Sequence, residues 1–452
     1  MTRHGDARAA NGHPPIYRID LSLPPRERYV ELSRLYRDEL HSLTDLFDEL
    51  VEAFLPNVPV KFIRGLARLA LRRLFTTEET EEIRGISQAA GVDMYLLVAF
   101  NVLLDVLMGC TSGGVRVKAE DSSHTKMLHF RTLDWGMDAL RKLIVQLEYV
   151  SSPDTDEILA TSITYVGFVG VLTAVRKGLS VSLNFRPIHD TSRRWANFRF
   201  YFSHLLVLLG TRRSISSLLR QCILPETAPR HLSFSSYCTL PWRRRKSDNT
   251  SSIRASNAPS LAFLQDRIPS EPTTAAYLIF SDGASTMTME KDHRTAVVRS
   301  SSSFIVITNN DLEPDAPSTG QIAKEKQESH AGLSLVSGEL ESMIDIIAES
   351  NLRRACIQEQ WDKKVRRAAG AGKRTSSHPT REEVSCEPDD DIAATPREVI
   401  KWLKTYPVTN ETTHFATVMD PTEGKVVWVR RYPIGFTPDT QNAFSSPNVR
   451  LP

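Results

Sequence analysis

Near residue 109 the periodicity of the chain changes, and no other feature restricts its fold as much. Upstream, over residues 26–54 and again in "NVPVKFIRGLARLALRRLF" and "TTEETEEIRGISQAAG", apolar residues recur at three- and four-residue steps between charges, the period of amphipathic helices. The spacing predicts one helix over residues 26–54, opened by Pro24 and Pro25 in its first turn, and a later helix capped by Thr77 or Thr80 ahead of its glutamates. In front of these, Tyr17, Ile19, Leu21 and Leu23 alternate as an edge strand does. Downstream the chain turns to short strand-like runs bounded by Gly, Pro, Asp or Ser, among them "GGVRVKAE", "KMLHFRTLDW", "LIVQLEYV", "LSVSLNFRP", "AAYLIFSDG" and "SSFIVITNN". Near the end "HFATVMDPTEGKVVWVRRYP" reads as a hairpin turning at residues 420–424. Helical blocks at 194–209, 214–224 and 337–365 interrupt the strands, so the chain is expected to be a layered α+β protein.

The totals exclude several function classes. A formal charge of +2 with 24% charged residues gives no electrostatic case for nucleic acid. The run "RRRK" at 243–246 lies among Pro, Ser, Asp and Asn and reads as a solvated loop. Residues 226–259 and 366–394 are too poor in apolar side chains to bury much surface and are expected to be disordered insertions. Within the second, "GAGKRT" at 370–375 lacks the first glycine and the preceding strand of a phosphate-binding loop, so it reads as loop too. Five cysteines without CxxC spacing suggest neither a disulfide framework nor a zinc site, and no cofactor is implied. Residues 1–21 hold no apolar leader core, and the longest apolar run, 94–108, is short and carries Asn101 and Asp105. A soluble, cytoplasmic protein is expected.

The break itself carries the chemistry. An apolar helical run ends in Gly109, Cys110, Thr111, Ser112, Gly113 and Gly114, and "HFRTLDWG" follows with Arg131 and Asp134 three residues apart. Cysteine is the strongest side-chain nucleophile near neutral pH, and a cation with a carboxylate can tune and position it. Taken alone, Cys110 would be a small buried hydrophobe, and Arg131 and Asp134 would point to opposite faces of a strand.

The motifs together say more. "FNVLLDVLMGCTS" resembles the nucleophile segment of the acid ceramidase and N-acylethanolamine-hydrolysing acid amidase family. "HFRTLDWG", "YVGFVGVLTAVRKGLSVSLNFRP" and "VITNND" resemble further segments of that family in the same order, and "PPIYRIDLSLPPRERY" resembles the opening of its amino-terminal pro-segment. The resemblance implies an αββα sandwich of the N-terminal-nucleophile hydrolase type, with a helical segment at 1–109 and a catalytic domain at 110–452. It implies self-cleavage of the Gly109–Cys110 bond, Cys110 as nucleophile, Arg131 and Asp134 as site residues, Asn309 in the oxyanion hole, Asn184 at a further site position, and Arg353, or its neighbour Arg354, as a second arginine. The implied partners are an N-acylated lipid, ceramide or an N-acylethanolamine, and the chain's own cleaved amino-terminal fragment. Apart from the resemblance, "FRFYFSHLLVLLG" at 198–210 holds more Phe, Tyr and Leu than one helical stripe needs and reads either as a lipid-compatible, transient membrane-surface contact or as a buried core helix. An acyltransferase or a silent lipid-binding protein on the same scaffold are the alternatives. The sequence departs from the family's pattern in Thr132 for Asn, in Phe185 where relatives commonly carry Glu, and in a longer interval between Cys110 and Arg131.

The chemistry fits those residue types. An α-amine titrates near ~8 and a thiol near ~8.5, so a free amine on the cysteine itself can take the thiol proton with little mismatch. An amide donor such as that of Asn309, aimed at a developing oxyanion, is worth about 3 kcal/mol.

Overall fold

The computed structural model describes residues 12–54, 57–103, 109–118, 124–187, 196–224, 258–312, 337–375, 392–438 of the chain. The basic run at 243–246, Asp105, and nearly all of 226–259 lie outside them.

Two sheets stack face to face. The smaller contains strands β2 (Gly109–Lys118), β3 (Thr125–Asp134), β11 (Phe304–Ile307), β12 (Thr413–Asp420) and β13 (Lys425–Arg431), in the antiparallel order β11-β2-β3-β12-β13. The larger runs β1-β4-β5-β6-β7-β8-β9-β10, from β1 (Ile16–Asp20) through β4 (Ile144–Val150), β5 (Ile158–Tyr165), β6 (Thr173–Arg176), β7 (Leu179–Phe185), β8 (Ala276–Ser281) and β9 (Thr286–Lys291) to β10 (Ala296–Ser301). Its strands are antiparallel except that β1 lies parallel to β4.

Helices cover both outer faces. Against the larger sheet lie α1 (Val30–Leu35), α2 (Arg37–His41), α3 (Leu43–Phe54), α4 (Val60–Ala70), α5 (Thr77–Ala90) and α6 (Met94–Leu103), joined by α7 (Ala196–Leu208), α8 (Ile215–Ile223) and α9 (Leu261–Arg267). Against the smaller sheet lie α10 (Ser337–Thr375) and α11 (Pro396–Leu403). This is the four-layer α+β arrangement that the resemblance implied.

Along β2 and β3 residues alternate between the two faces of the small sheet. Val115, Val117, Leu128, Phe130 and Val418 face outward and pack on Cys356, Ile357 and Trp361 of α10 and on Val399, Trp402 and Leu403 of α11. Facing inward are Cys110, Ser112, Gly114, His129 and Arg131, all buried yet mostly polar or small. His129 hydrogen-bonds Ser180 Oγ at 2.9 Å and Ser182 Oγ at 2.8 Å on β7, and burial pulls its pKa down to about 3, so it is a neutral tie between sheets. At Gly114 the sheets come so close that a Cβ would sit 1.9 Å from Thr286 Oγ1, which only glycine permits.

The first hundred residues belong to this body. Besides giving the edge strand β1, with Tyr17 and Ile19 buried, they hold Arg28, whose guanidinium donates to Glu82 at 2.9 Å and to the carbonyls of Leu21 and Leu23 at 3.0 Å each. Glu82 is fully buried and also receives Arg220 of α8 through both carboxylate oxygens, at 2.5 and 2.7 Å. Such a buried charge is tolerated only because two arginines pair it.

Three local expectations need correction. The stretch 26–54 is three helices: Tyr36, with a non-helical φ of −108° and ψ of 27°, separates α1 from α2, Ser42 separates α2 from α3, and the first begins only at Val30. Helix α5 is capped by Thr76, whose hydroxyl accepts from Glu79 N, and not by Thr77 or Thr80. Helix α10 continues through "GAGKRT" to Thr375, so part of the expected disordered insertion at 366–394 is helix, and at its other end Ala394 is buried and exchanges backbone hydrogen bonds with β2. Its run of Arg, Lys and Ala carries high helix propensity, which outweighs the two glycines.

Candidate functional site

Cys110 is the second residue of β2, where the sheet ends, and its side chain is completely buried. Register places Arg131 opposite Ser112 and Asp134 opposite Gly109. Paired residues share a face, so Arg131 lies on the inner face with Cys110, and Asp134 on the outer one. No bulge in β2 or β3 is needed to bring both to the site. The sheet stops at Gly109, and the peptide there is approached from either side.

On the inner side Arg131 Nη2 donates to Cys110 Sγ at 3.2 Å, while Nη1 is tied to the carbonyl of Leu172 and Nε has no partner. On the outer side Arg353 of α10 bridges Asn309 Oδ1 at 3.0 Å, Thr111 Oγ1 at 3.3 Å and Asp134 Oδ2 at 3.6 Å. The backbone N–H of Cys110 donates to Asn309 Oδ1 at 2.8 Å. A Cβ on Gly109 would stand 3.4 Å from the Asp134 Cβ and 3.7 Å from Arg353 Nη2, so the two charged groups flank the residue just before the cysteine.

Burial dominates the electrostatics. It pushes the Cys110 thiol upward, with Arg131 the chief opposing influence and Asp134 adding to the rise. Burial likewise raises the Asp134 carboxyl, opposed first by Arg353 and then by the hydroxyl of Thr413. In the continuous chain the sulfur is therefore a protonated thiol beside a fixed cation.

Cys110, Arg131, Asp134, Asn309 and Arg353 thus converge. Arg353 rather than Arg354 reaches the site, since Arg354 Nη1 turns to the carbonyl of Asp311 at 3.4 Å. Asn184 does not aim at the sulfur: its Oδ1 accepts from Ser112 Oγ at 2.7 Å and its Nδ2 donates to the carbonyls of Ile307 and Thr308, both at 3.2 Å, so it ties β7 to the small sheet. Asn309 Nδ2 donates to the carbonyl of Phe185 at 2.8 Å, so with the Gly109–Cys110 peptide in place this amide holds backbone at both ends. Asn101, on the helix before the break, is buried by hydrogen bonds to Leu97, Gly167 and Val169 and belongs to the scaffold.

Sequence reasoning missed Thr111, Ser350 and Thr413. Ser350 Oγ accepts from Asn309 N at 2.8 Å, and Thr413 Oγ1 donates to Asp134 Oδ1 at 2.7 Å. The Thr413 pair is separated by 279 residues, and no local motif announces it. Among the described residues no cluster of His, Cys, Asp or Glu could hold a metal, and no helix is long and apolar enough to cross a membrane.

Residues 12–75 match the family described as the beta subunit of N-acylethanolamine-hydrolyzing acid amidase. The chain is 30% identical over 189 residues to a Caenorhabditis elegans N-acylethanolamine-hydrolyzing acid amidase, covering 39% of this chain and 50% of the relative. To the acid ceramidase of Rattus norvegicus it is 30% identical over 190 residues, again 39% of this chain and 46% of the relative. The chain thus spans about half the length of the curated relatives it matches. A solved C. elegans N-acylethanolamine-hydrolyzing acid amidase ortholog aligns with 72% of this chain and 100% of its own at a TM-score of 0.39 and 16% identity.

Proposed function

The chain is related in sequence to the acid ceramidases and N-acylethanolamine-hydrolyzing acid amidases, and from that relation we propose that it hydrolyses the amide bond of N-acylated lipids with Cys110 as nucleophile. The observation that carries this reading is the contact of Arg131 Nη2 with Cys110 Sγ at 3.2 Å, beside a backbone nitrogen already held by Asn309.

Self-cleavage comes first. Cys110 Sγ attacks the carbonyl carbon of Gly109, the C–N bond breaks as the nitrogen takes a proton, and a thioester joins Gly109 to the sulfur. Water then releases Gly109 as a carboxylate and leaves Cys110 with a free thiol and a free α-amine. Gly109 exposes its carbonyl without a Cβ to shield it. The new amine keeps Asn309 Oδ1 as one acceptor and gains N–H groups that need another. Asp134 Oδ2 is buried and without a hydrogen-bond donor.

In turnover the amine takes the thiol proton, and the thiolate, stabilised by Arg131, attacks the lipid amide. The leaving amine departs with that proton, an acyl-thioester remains on Cys110, and water releases the fatty acid. The amino-terminal fragment stays bound through β1 and the Arg28–Glu82–Arg220 cluster. Helix α7 supplies a contact for the lipid-bearing surface: Phe198, Tyr201, Phe202 and Leu205 lie at helical spacing and are exposed, whereas Leu206 and Leu209 are half-buried.

Product analysis tests the reading. Purified protein given ceramide or an N-acylethanolamine in liposomes should release free fatty acid, and Phe202→Ser with Leu205→Ser should lower that rate while sparing a short-chain amide in solution. Transfer of the acyl group to an added amine in place of water would make it an acyltransferase. No acyl product, and no labelling of Cys110 by a fatty-acyl electrophile, would leave a lipid-binding protein.

A further inference from the structure

We infer that Thr413 is a positioning residue for Asp134, an inference that rests on the proposed catalytic roles of Asp134 and Cys110. Strand β12 pairs Thr413 with Asp134 but Phe415 with Leu133, so two residues advance on β12 for one on β3, and His414 is the extra residue of a bulge. Bulges next to functional sites re-aim side chains. Here the bulge lets Thr413 share the outer face with Asp134 while His414 turns inward, where its Nδ1 meets Tyr165 Oη of the large sheet at 2.7 Å.

Thr413 is itself immobilised. Its Oγ1 accepts the backbone N–H of Asn410 at 2.9 Å, its own N–H donates to the carbonyl of Asn410 at 3.1 Å, and its carbonyl accepts from Arg141 Nη1 at 2.5 Å. With one lone pair of the hydroxyl engaged by the Asn410 N–H, the nearer acceptor for its proton is Asp134 Oδ1 at 2.7 Å, against Asn410 Oδ1 at 3.4 Å. Oδ1 being occupied, Oδ2 is the oxygen left toward Arg353, at 3.6 Å from its Nε, and Arg353 Nη2 in turn stands beside Gly109. A carboxylate held by one oxygen from a fixed donor presents the other in a single orientation. The hydroxyl also favours the ionised carboxylate, against the burial that disfavours it.

Three full-length variants test this: Thr413→Val, Thr413→Ser, and Thr417→Val, which removes another β12 hydroxyl bonded only to the carbonyl of Trp428. Thr413→Val should lower kcat about tenfold at nearly unchanged KM and move the acid limb of the pH profile upward, because Asp134 then protonates more readily. Thr413→Ser should restore both, and Thr417→Val should change neither. The Asp134 carboxyl titration, read by infrared difference spectra against Asp134→Asn, should move up in Thr413→Val alone. An unshifted titration, or Thr413→Ser no better than Thr413→Val, would overturn the inference. If the wild-type protein released no fatty acid at all, the proposed activity would fail, while the titration would still decide the place of Thr413.

Discussion

The two faces of the small sheet are built from the same strands and are both buried, yet away from the site the outer one packs aliphatic and aromatic side chains on helices, while the inner one sets polar groups such as Ser112, His129 and Arg131 among apolar ones such as Leu133 and Phe415. The outer face packs Val115, Phe130 and Val418 on α10 and α11, and its cysteine, Cys356, sits among Ile357 and Trp361. The inner face carries Cys110, with Arg131 on its sulfur. Both cysteines are completely buried. For Cys356 burial is opposed by Lys363 alone, and the thiol is pushed up to about 12; for Cys110 burial, aided by Asp134, is opposed by Arg131 and Arg353. Burial pushes both thiols up, and what sets Cys110 apart is the buried charge placed around it.

The largest expected effect separates the two cysteines outright. Cys110→Ala should lower turnover by at least about a thousandfold while the fold persists, because its sulfur is the proposed nucleophile. Cys356→Ala should do the reverse, costing about 1 kcal/mol of stability for a small cavity and leaving kcat intact. Full activity in Cys110→Ala would erase the distinction. A smaller effect sharpens it. Arg131→Met keeps the bulk of the side chain and removes its charge, so the Cys110 thiol should climb further and its alkylation curve should move to higher pH. Asp134→Asn removes the charge that raises the thiol, so the same curve should move to lower pH. Shifts of the same sign in both variants would contradict the opposed influences described above.

The contrast between the faces also marks what was legible in the sequence. The strand-like runs after residue 109 and the helical period before it follow from local side-chain spacing and imply a layered α+β protein, whereas the four layers came from the family resemblance. Motif order pointed to Cys110, Arg131, Asp134, Asn309 and Arg353, and all five meet at one end of the sheet. It also nominated Asn184, which the fold uses as a tie between β7 and the small sheet. Thr413 was invisible because its significance depends on the bulge at His414 and on a partner 279 residues earlier, neither of which leaves a periodic trace. The break between α1 and α2 at Tyr36 was hidden for a similar reason, since the apolar spacing runs through it while the backbone does not.

Self-cleavage is the central claim, since without it Cys110 has no α-amine and the proposed base is missing. Intact mass and amino-terminal sequencing of a preparation that turns over substrate test it directly. The account predicts two chains that copurify, the larger beginning Cys-Thr-Ser-Gly-Gly, with Cys110→Ala running as one. An active preparation consisting of a single uncut chain would contradict it.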